Sequence, residues 1–216
     1  MPRNDLSEIV LVVDRSGSMD SCRTDAEGGI NNFVEEQKKV AGEANFTLVQ
    51  FDTEYEVVHN GVPIKDVPKY VLVPRGWTAL LDAVGRAIAT VGERLDKMQE
   101  AEKPGCVVVV IVTDGLENSS KEYTLEKIRQ MITLQQETYS WKFAFLGADP
   151  SAFVVGNSFG ISKAAVAQYD PKEINGAYRA TSGAVGQVRC CAAMGQNVPL
   201  SFTDEQRKKM RSKGVS

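Results

Sequence analysis

Apolar residues fall into two alternating patterns along this chain. Residues 9–13 (Ile9, Val10, Leu11, Val12, Val13) form a continuous, mostly β-branched run that ends at Asp14. Such a run reads as a strand buried on both faces of a parallel sheet. After a polar, glycine-containing turn, Ile30, Phe33, Val34, Gln37 and Val40 recur at helical spacing, and Gly42 closes that helix. Residues 46–51 read as a second strand, Asp52 and Thr53 as a turn, and residues 55–59 as a strand running back. That hairpin adds an antiparallel edge. Pro63, Pro68 and Pro74 mark residues 62–76 as irregular. Leu80, Val84, Ala87, Ile88, Val91, Leu95 and Met98 predict a long amphipathic helix, stopped by Lys103, Pro104 and Gly105. Residues 107–112 are the most hydrophobic run and predict a central strand, ending in Thr113, Asp114 and Gly115. Leu125, Ile128, Met131 and Ile132 trace a further helix, and residues 141–146 a strand ending at Gly147. A shorter helix and strand follow, up to Tyr169. Residues 171–194 are rich in Ala and Gly and predict a final close-packed helix. The tail, residues 203–216, opens with a helix start at Thr203, Asp204 and Glu205 and turns basic at Arg207, Lys208, Lys209 and Arg211. It reads as a solvated helix or a frayed end.

Strands alternating with helices imply an α/β fold with right-handed crossovers, a mostly parallel central sheet with one antiparallel edge strand, and helices on both faces. Ligands of such sheets bind beyond the carboxyl ends of the strands, where the polar clusters at Asp14 and Asp114 fall. The length of 216 residues suits a single α/β domain over residues 1–216. The formal net charge of -3 gives no electrostatic case for nucleic acid or an anionic membrane as partner. The start of the chain is polar and carries no secretion signal, and no apolar stretch reaches the ~20 residues that span a bilayer. Cys22, Cys106, Cys190 and Cys191 are too few for a disulfide scaffold. They read as reduced, which places the protein in the cytoplasm, with Cys190 and Cys191 as small core residues on a helix.

Three segments put oxygen donors at the carboxyl edge. Asp14, Ser16 and Ser18 alternate along the loop after the first strand, so they can face one point. Thr78 precedes the long helix, and Asp114 follows the central strand. Parallel strands lie ~4.8 Å apart, so their terminal loops can converge. Carboxylates and hydroxyls are hard donors that suit Mg²⁺, Mn²⁺ or Ca²⁺ and suit zinc poorly. The single histidine, His59, lies in the edge hairpin and is not expected to bind the ion. Asp52 and Glu117 are acidic candidates for the rim, and the position of Asp82 in the first turn of a helix is explained by the helix dipole.

Asp14-x-Ser16-x-Ser18, Thr78 before a helix, and Thr113-Asp114-Gly115 after an apolar strand resemble the metal-ion-dependent adhesion site of von Willebrand factor A domains. The order and spacing agree from about residue 6 to residue 170, with residues from about 171 to 216 as a C-terminal helical extension. More narrowly, residues 47–52, 78–83 and 145–148 resemble stand-alone bacterial and phage proteins of that family. The resemblance implies a Rossmann-like fold and a metal held by Asp14, Ser16, Ser18, Thr78 and Asp114. Ser16, Ser18 and Thr78 would lie in or near the first shell, with Asp14 and Asp114 bound directly or through water. It further implies a protein partner that presents an Asp or Glu to the ion. A carboxylate–metal contact is the same for every partner, so Arg15, Arg75 and Trp77, which flank the metal loops, are the candidates for selectivity.

Two other readings are open. A Mg²⁺-dependent phosphatase would use Asp14 as nucleophile and need a second acid two residues later, where this chain has Ser16. Dinucleotide and nucleoside triphosphate motifs are absent, so the chain is read as a non-enzyme. The second alternative is an assembly protein in which the metal only ties loops together.

Overall fold

The structure, a computed structural model, describes residues 1–211. The last part of the basic tail, residues 212–216, lies outside the described residues. Six strands form one sheet: β1 (Arg3–Asp14), β2 (Glu43–Phe51), β3 (Tyr55–Pro63), β4 (Pro104–Thr113), β5 (Lys142–Gly147) and β6 (Val166–Gln168). Their order is β3-β2-β1-β4-β5-β6. Every neighbouring pair is parallel except β2 and β3, so the expected single antiparallel edge is present. The helices are α1 (Arg23–Lys38), α2 (Leu80–Asp96), α3 (Leu125–Tyr139), α4 (Ala152–Ser158), α5 (Ile174–Ala193) and α6 (Asp204–Lys209).

α1 packs on α5, which rests on β1 and β4, while α2 packs on α3, and α2 also rests on β1, β2 and β3. Right-handed crossovers place these two pairs on opposite faces of the sheet. α1 and α5 approach closely because Gly29 has no side chain. A Cβ there would lie 2.5 Å from the Tyr178 ring. Gln37, polar among the apolar positions of α1, is buried in that seam. It donates to the Ser182 carbonyl and hydroxyl at 2.8 Å and accepts from the buried Arg189.

Two strands are longer than their apolar runs. β1 begins at Arg3 because its polar first half is held by side chains distant in sequence. Glu8 is fully buried, yet Arg94 donates to it at 2.6 Å and Thr47 at 2.7 Å. β4 begins at Pro104, whose missing N–H is tolerated at the first position of a strand. One expectation is corrected outright. Cys190 is exposed and Cys191 half-buried, since the buried stripe of α5 runs through Ala177, Thr181, Ala184, Val185 and Val188. Thr203 caps α6 in a full capping box with Gln206, as its sequence suggests. Among the described residues, no helix is long and apolar enough to cross a membrane.

β1 pairs with β2 on one side and with β4 on the other. The chain leaves β1 in one direction and returns to its opposite side, so a crevice opens at the carboxyl ends of β1 and β4. This is the position where open α/β sheets bind ligands.

Candidate metal centre

The loop after β1 is pinned by main chain and core. The N–H of Arg15 donates to the Phe51 carbonyl at 2.8 Å, and that of Met19 to the Ser16 carbonyl at 3.0 Å. The Met19 side chain is fully buried, which anchors the short helical turn Gly17–Cys22. The Ser16 N–H donates to Asp14 Oδ1 at 2.7 Å. Ser16 Oγ and Ser18 Oγ are 3.0 Å apart, and Ser18 Oγ donates to Asp114 Oδ1 at 2.8 Å. Four of the five residues predicted to hold a metal are therefore linked by hydrogen bonds from the end of β1 to the end of β4, through the Ser16 N–H and the Ser16 and Ser18 hydroxyls.

Thr78 is brought to the same place. A Cβ on Gly115 would lie 3.3 Å from Thr78 Oγ1 and 3.9 Å from Ser18 Oγ, so both hydroxyls surround the small residue after Asp114. Main-chain bonds hold Thr78 there. Its N–H donates to Asn118 Oδ1 at 3.0 Å, and its carbonyl accepts from the Asn118 N–H at 3.1 Å. The loop after β4 is in turn tied to the start of α2. Glu117 accepts from the N–H groups of Leu81, Ser119 and Ser120. Asp82 accepts from those of Lys121, Glu122 and Tyr123. Glu117 and Asp82 thus fasten the Thr78 and Asp114 segments to each other. For Asp82 the helix dipole is only part of the explanation. Asn118, Glu117 and Asp82 show no pattern in sequence that marks this role.

Burial raises both carboxylates of the cluster. Asp14 is fully buried, and burial pushes its carboxyl from 3.8 up to about 6. The Thr113 hydroxyl, donating to Oδ2 at 2.6 Å, and the Ser16 N–H oppose that rise. Burial raises Asp114 as well, with the Ser18 hydroxyl pulling it back. Among the described residues neither has an ion-pair partner. Two sheltered carboxylates beside three hydroxyls fit a hard divalent ion. Among the described residues no group of three or more His, Cys, Asp and Glu side chains is placed to hold a metal. The candidate set has only two carboxylates, and its remaining donors are hydroxyls.

The flanking residues divide. Trp77 is 68% exposed and does not pack under its loop. Arg15 does not face a partner. It is buried, donating through Nε to Asp52 Oδ2 at 2.9 Å and through Nη1 to Glu56 Oε2 at 2.7 Å. Arg75 is half exposed, but its Nε donates to the same Asp52 oxygen at 2.8 Å and its Nη2 to Glu54 at 2.5 Å. Asp52, a buried acid rather than a rim residue, engages both arginines and draws Arg15 inward, while Arg75 keeps half of its side chain at the surface. Leu116, next to Gly115, is 50% exposed and was not singled out by sequence. A cavity of about 540 Å³ opens at the opposite end of the sheet, lined by Pro2, Leu95, Pro104, Tyr139 and Trp141. It takes no part in this centre.

No protein-family model matches the sequence, and no curated protein matches it. Solved structures do match in fold. Proximal thread matrix protein 1 from the mussel byssus aligns with a TM-score of 0.60 and 16% identity, over 87% of this chain and 46% of that one. The PilB minor pilin from Streptococcus sanguinis aligns with a TM-score of 0.58 and 11% identity, over 84% of this chain and 61% of the pilin. A von Willebrand factor type A protein from Catenulispora acidiphila aligns with a TM-score of 0.54 and 18% identity, over 82% of this chain and 42% of that one. The chain spans about half the length of these structures. Five parallel strands in this order, one antiparallel edge strand, helices on both faces and the likeness to these structures make the fold of this chain that of a von Willebrand factor A-type domain.

Proposed function

We propose that this chain is a protein-binding module that uses a divalent ion at the carboxyl ends of β1 and β4 to capture an acidic residue of a partner. The observation that carries the proposal is the fully buried carboxylate of Asp14 and the half-buried one of Asp114, linked through the Ser16 N–H and the Ser16 and Ser18 hydroxyls and lacking any basic partner among the described residues. Asp14, Ser16, Ser18, Thr78 and Asp114 would hold the ion, with Mg²⁺ the expected occupant and Mn²⁺ or Ca²⁺ as substitutes. Bound there, the ion supplies a Lewis-acidic position for an outside carboxylate. The donor set favours that use. Three of its five side chains are neutral, so the ion retains more positive charge than it would among four or five carboxylates. Exposed Trp77 and Leu116 beside the site offer apolar area to whatever carries the acid, and Trp is a residue type enriched at binding hot spots.

We also propose that the chain is not an enzyme. A phosphatase nucleophile must reach substrate, whereas Asp14 is fully buried and engaged by Ser16 and Thr113. The acid such chemistry needs two residues later is Ser16. The test is capture of partners by the immobilised protein in Mg²⁺, in EDTA, and with Thr78→Ala. A partner retained in Mg²⁺ and lost in both other conditions supports the reading. Capture indifferent to EDTA and to Thr78→Ala refutes it.

A further inference from the structure

Asp52 sits at the end of β2, outside the predicted ligand set, yet it touches both metal loops. Its side chain is 1% exposed. Oδ2 accepts from Arg15 Nε at 2.9 Å and from Arg75 Nε at 2.8 Å, and Oδ1 accepts from the Glu54 N–H at 2.6 Å. Its carbonyl accepts from the Ala79 N–H at 3.0 Å. Gly76, at φ +68°, lies so close that a Cβ there would be 3.2 Å from Asp52 Cβ. The Arg75 N–H donates to the Arg15 carbonyl at 2.8 Å, and the Gly17 N–H to the Gly76 carbonyl at 3.2 Å. Asp52 therefore holds Arg75 and Ala79, which lie on either side of Thr78, and packs closely against Gly76. It also holds Arg15, the immediate neighbour of Ser16.

This clamp matters because the Thr78 hydroxyl has no hydrogen bond to set its direction among the described residues, so its backbone neighbours determine where it points. The Asn118 bonds fix Thr78 relative to the loop after β4. Nothing in that contact fixes it relative to Ser16. From these contacts we infer that Asp52 is a positioning residue: its buried carboxylate, gripping Arg15 and Arg75 together, sets Thr78 against Ser16 and thereby sets the affinity of the centre for its ion. A shift of loops by a fraction of an ångström is felt strongly at hard-cation sites, where donor distances are narrow. The charge is essential to the grip, since one oxygen accepts from two guanidinium groups. The inference rests on the metal reading above.

The experiment compares wild type, Asp52→Asn and Ile132→Ala by Mn²⁺ titration calorimetry and by amide hydrogen exchange. Asp52→Asn keeps the shape and the acceptor for the Glu54 N–H, but it can turn an NH₂ group toward two N–H donors. Ile132 is fully buried in α3, so Ile132→Ala is a control for destabilisation alone. The expected result is ion binding at least tenfold weaker in Asp52→Asn, with faster exchange at the Gly17, Arg75 and Ala79 amides and an intact circular dichroism spectrum. Ile132→Ala should keep the wild-type affinity. Wild-type affinity in Asp52→Asn overturns the inference while leaving the metal reading standing. An equal loss in Ile132→Ala also overturns it, because the effect then belongs to stability. Absence of ion binding in the wild type overturns the metal reading, and the inference falls with it.

Discussion

Replacing Asp14 by Asn should stabilise the metal-free protein and destabilise it relative to wild type once the ion is present. Burial raises the Asp14 carboxyl from 3.8 to about 6 in the folded state. The folded protein therefore holds this proton more tightly than the unfolded chain does. Stability falls as pH rises from about 4 to about 6, and above that range the full cost of a buried, unpaired charge is present. A displacement of about two pH units at ~1.4 kcal/mol each amounts to ~3 kcal/mol. The Asn side chain carries no charge and keeps the hydrogen bonds. Its oxygen can accept from the Ser16 N–H. Its NH₂ can donate to Thr113 Oγ1, whose proton already has the Gly115 carbonyl within reach at 3.0 Å. In EDTA at pH 7.5, Asp14→Asn should thus melt higher by up to ~3 kcal/mol, or roughly 6–12 °C for a domain of this size. At pH 4 the difference should vanish. An ion at a hundredfold excess over its dissociation constant stabilises wild type by ~2.7 kcal/mol, which closes the gap, and at a thousandfold excess by ~4.1 kcal/mol, which inverts it. Scanning calorimetry of both proteins at two pH values, with EDTA and with Mg²⁺, measures each quantity. A variant less stable than wild type in EDTA at pH 7.5, with no dependence on pH, would refute the reasoning.

Three further outcomes are expected. Gly115→Ala places a methyl 3.3 Å from Thr78 Oγ1, so ion affinity should fall about tenfold, ~1.4 kcal/mol, with little change in the metal-free melting temperature; calorimetric titration checks this. Trp77→Ala removes exposed apolar area beside the ion and should weaken partner capture by ~2 kcal/mol, roughly thirtyfold, while leaving the metal-induced thermal shift as in wild type. Purified protein in Mg²⁺ should hydrolyse neither a generic phosphomonoester nor ATP above the rate of an Asp14→Ala control, as read by phosphate release.

The strands and the loops of this domain differ in how much of them can be read from sequence. Residues 106–112 of β4 and 9–13 of β1 are buried on both faces, so every one of them is apolar and the run is visible. The first half of β1 is not visible, since Glu8 is accommodated by Arg94 and Thr47, partners that no local pattern reveals. The ligand candidates were legible because each sits directly after a strand or before a helix, and such positions have their own signatures. The side chains that organise the loops were not. Arg15 and Arg75 read as arms reaching outward because they flank metal loops. Their direction is decided by Asp52, 37 residues from the first and 23 from the second. Asp52, Glu117 and Asn118 act through long-range hydrogen bonds that leave no periodic trace. Cys190 and Cys191 lie on the last turns of α5, whose buried stripe passes beside them, and composition alone does not show which side of a small-residue helix faces the core.

The most direct measurement is a crystal soaked in Mn²⁺ and examined by anomalous scattering. The proposal predicts one strong peak enclosed by Asp14, Ser16, Ser18, Thr78 and Asp114, with Ser16, Ser18 and Thr78 oxygens at about 2.0–2.6 Å, the range spanned by Mg²⁺ and Ca²⁺ bonds to oxygen. That peak should be absent from an Asp14→Ala crystal soaked in the same way. No peak at the carboxyl ends of β1 and β4, or a peak that persists in the Asp14→Ala crystal, would contradict the proposed centre.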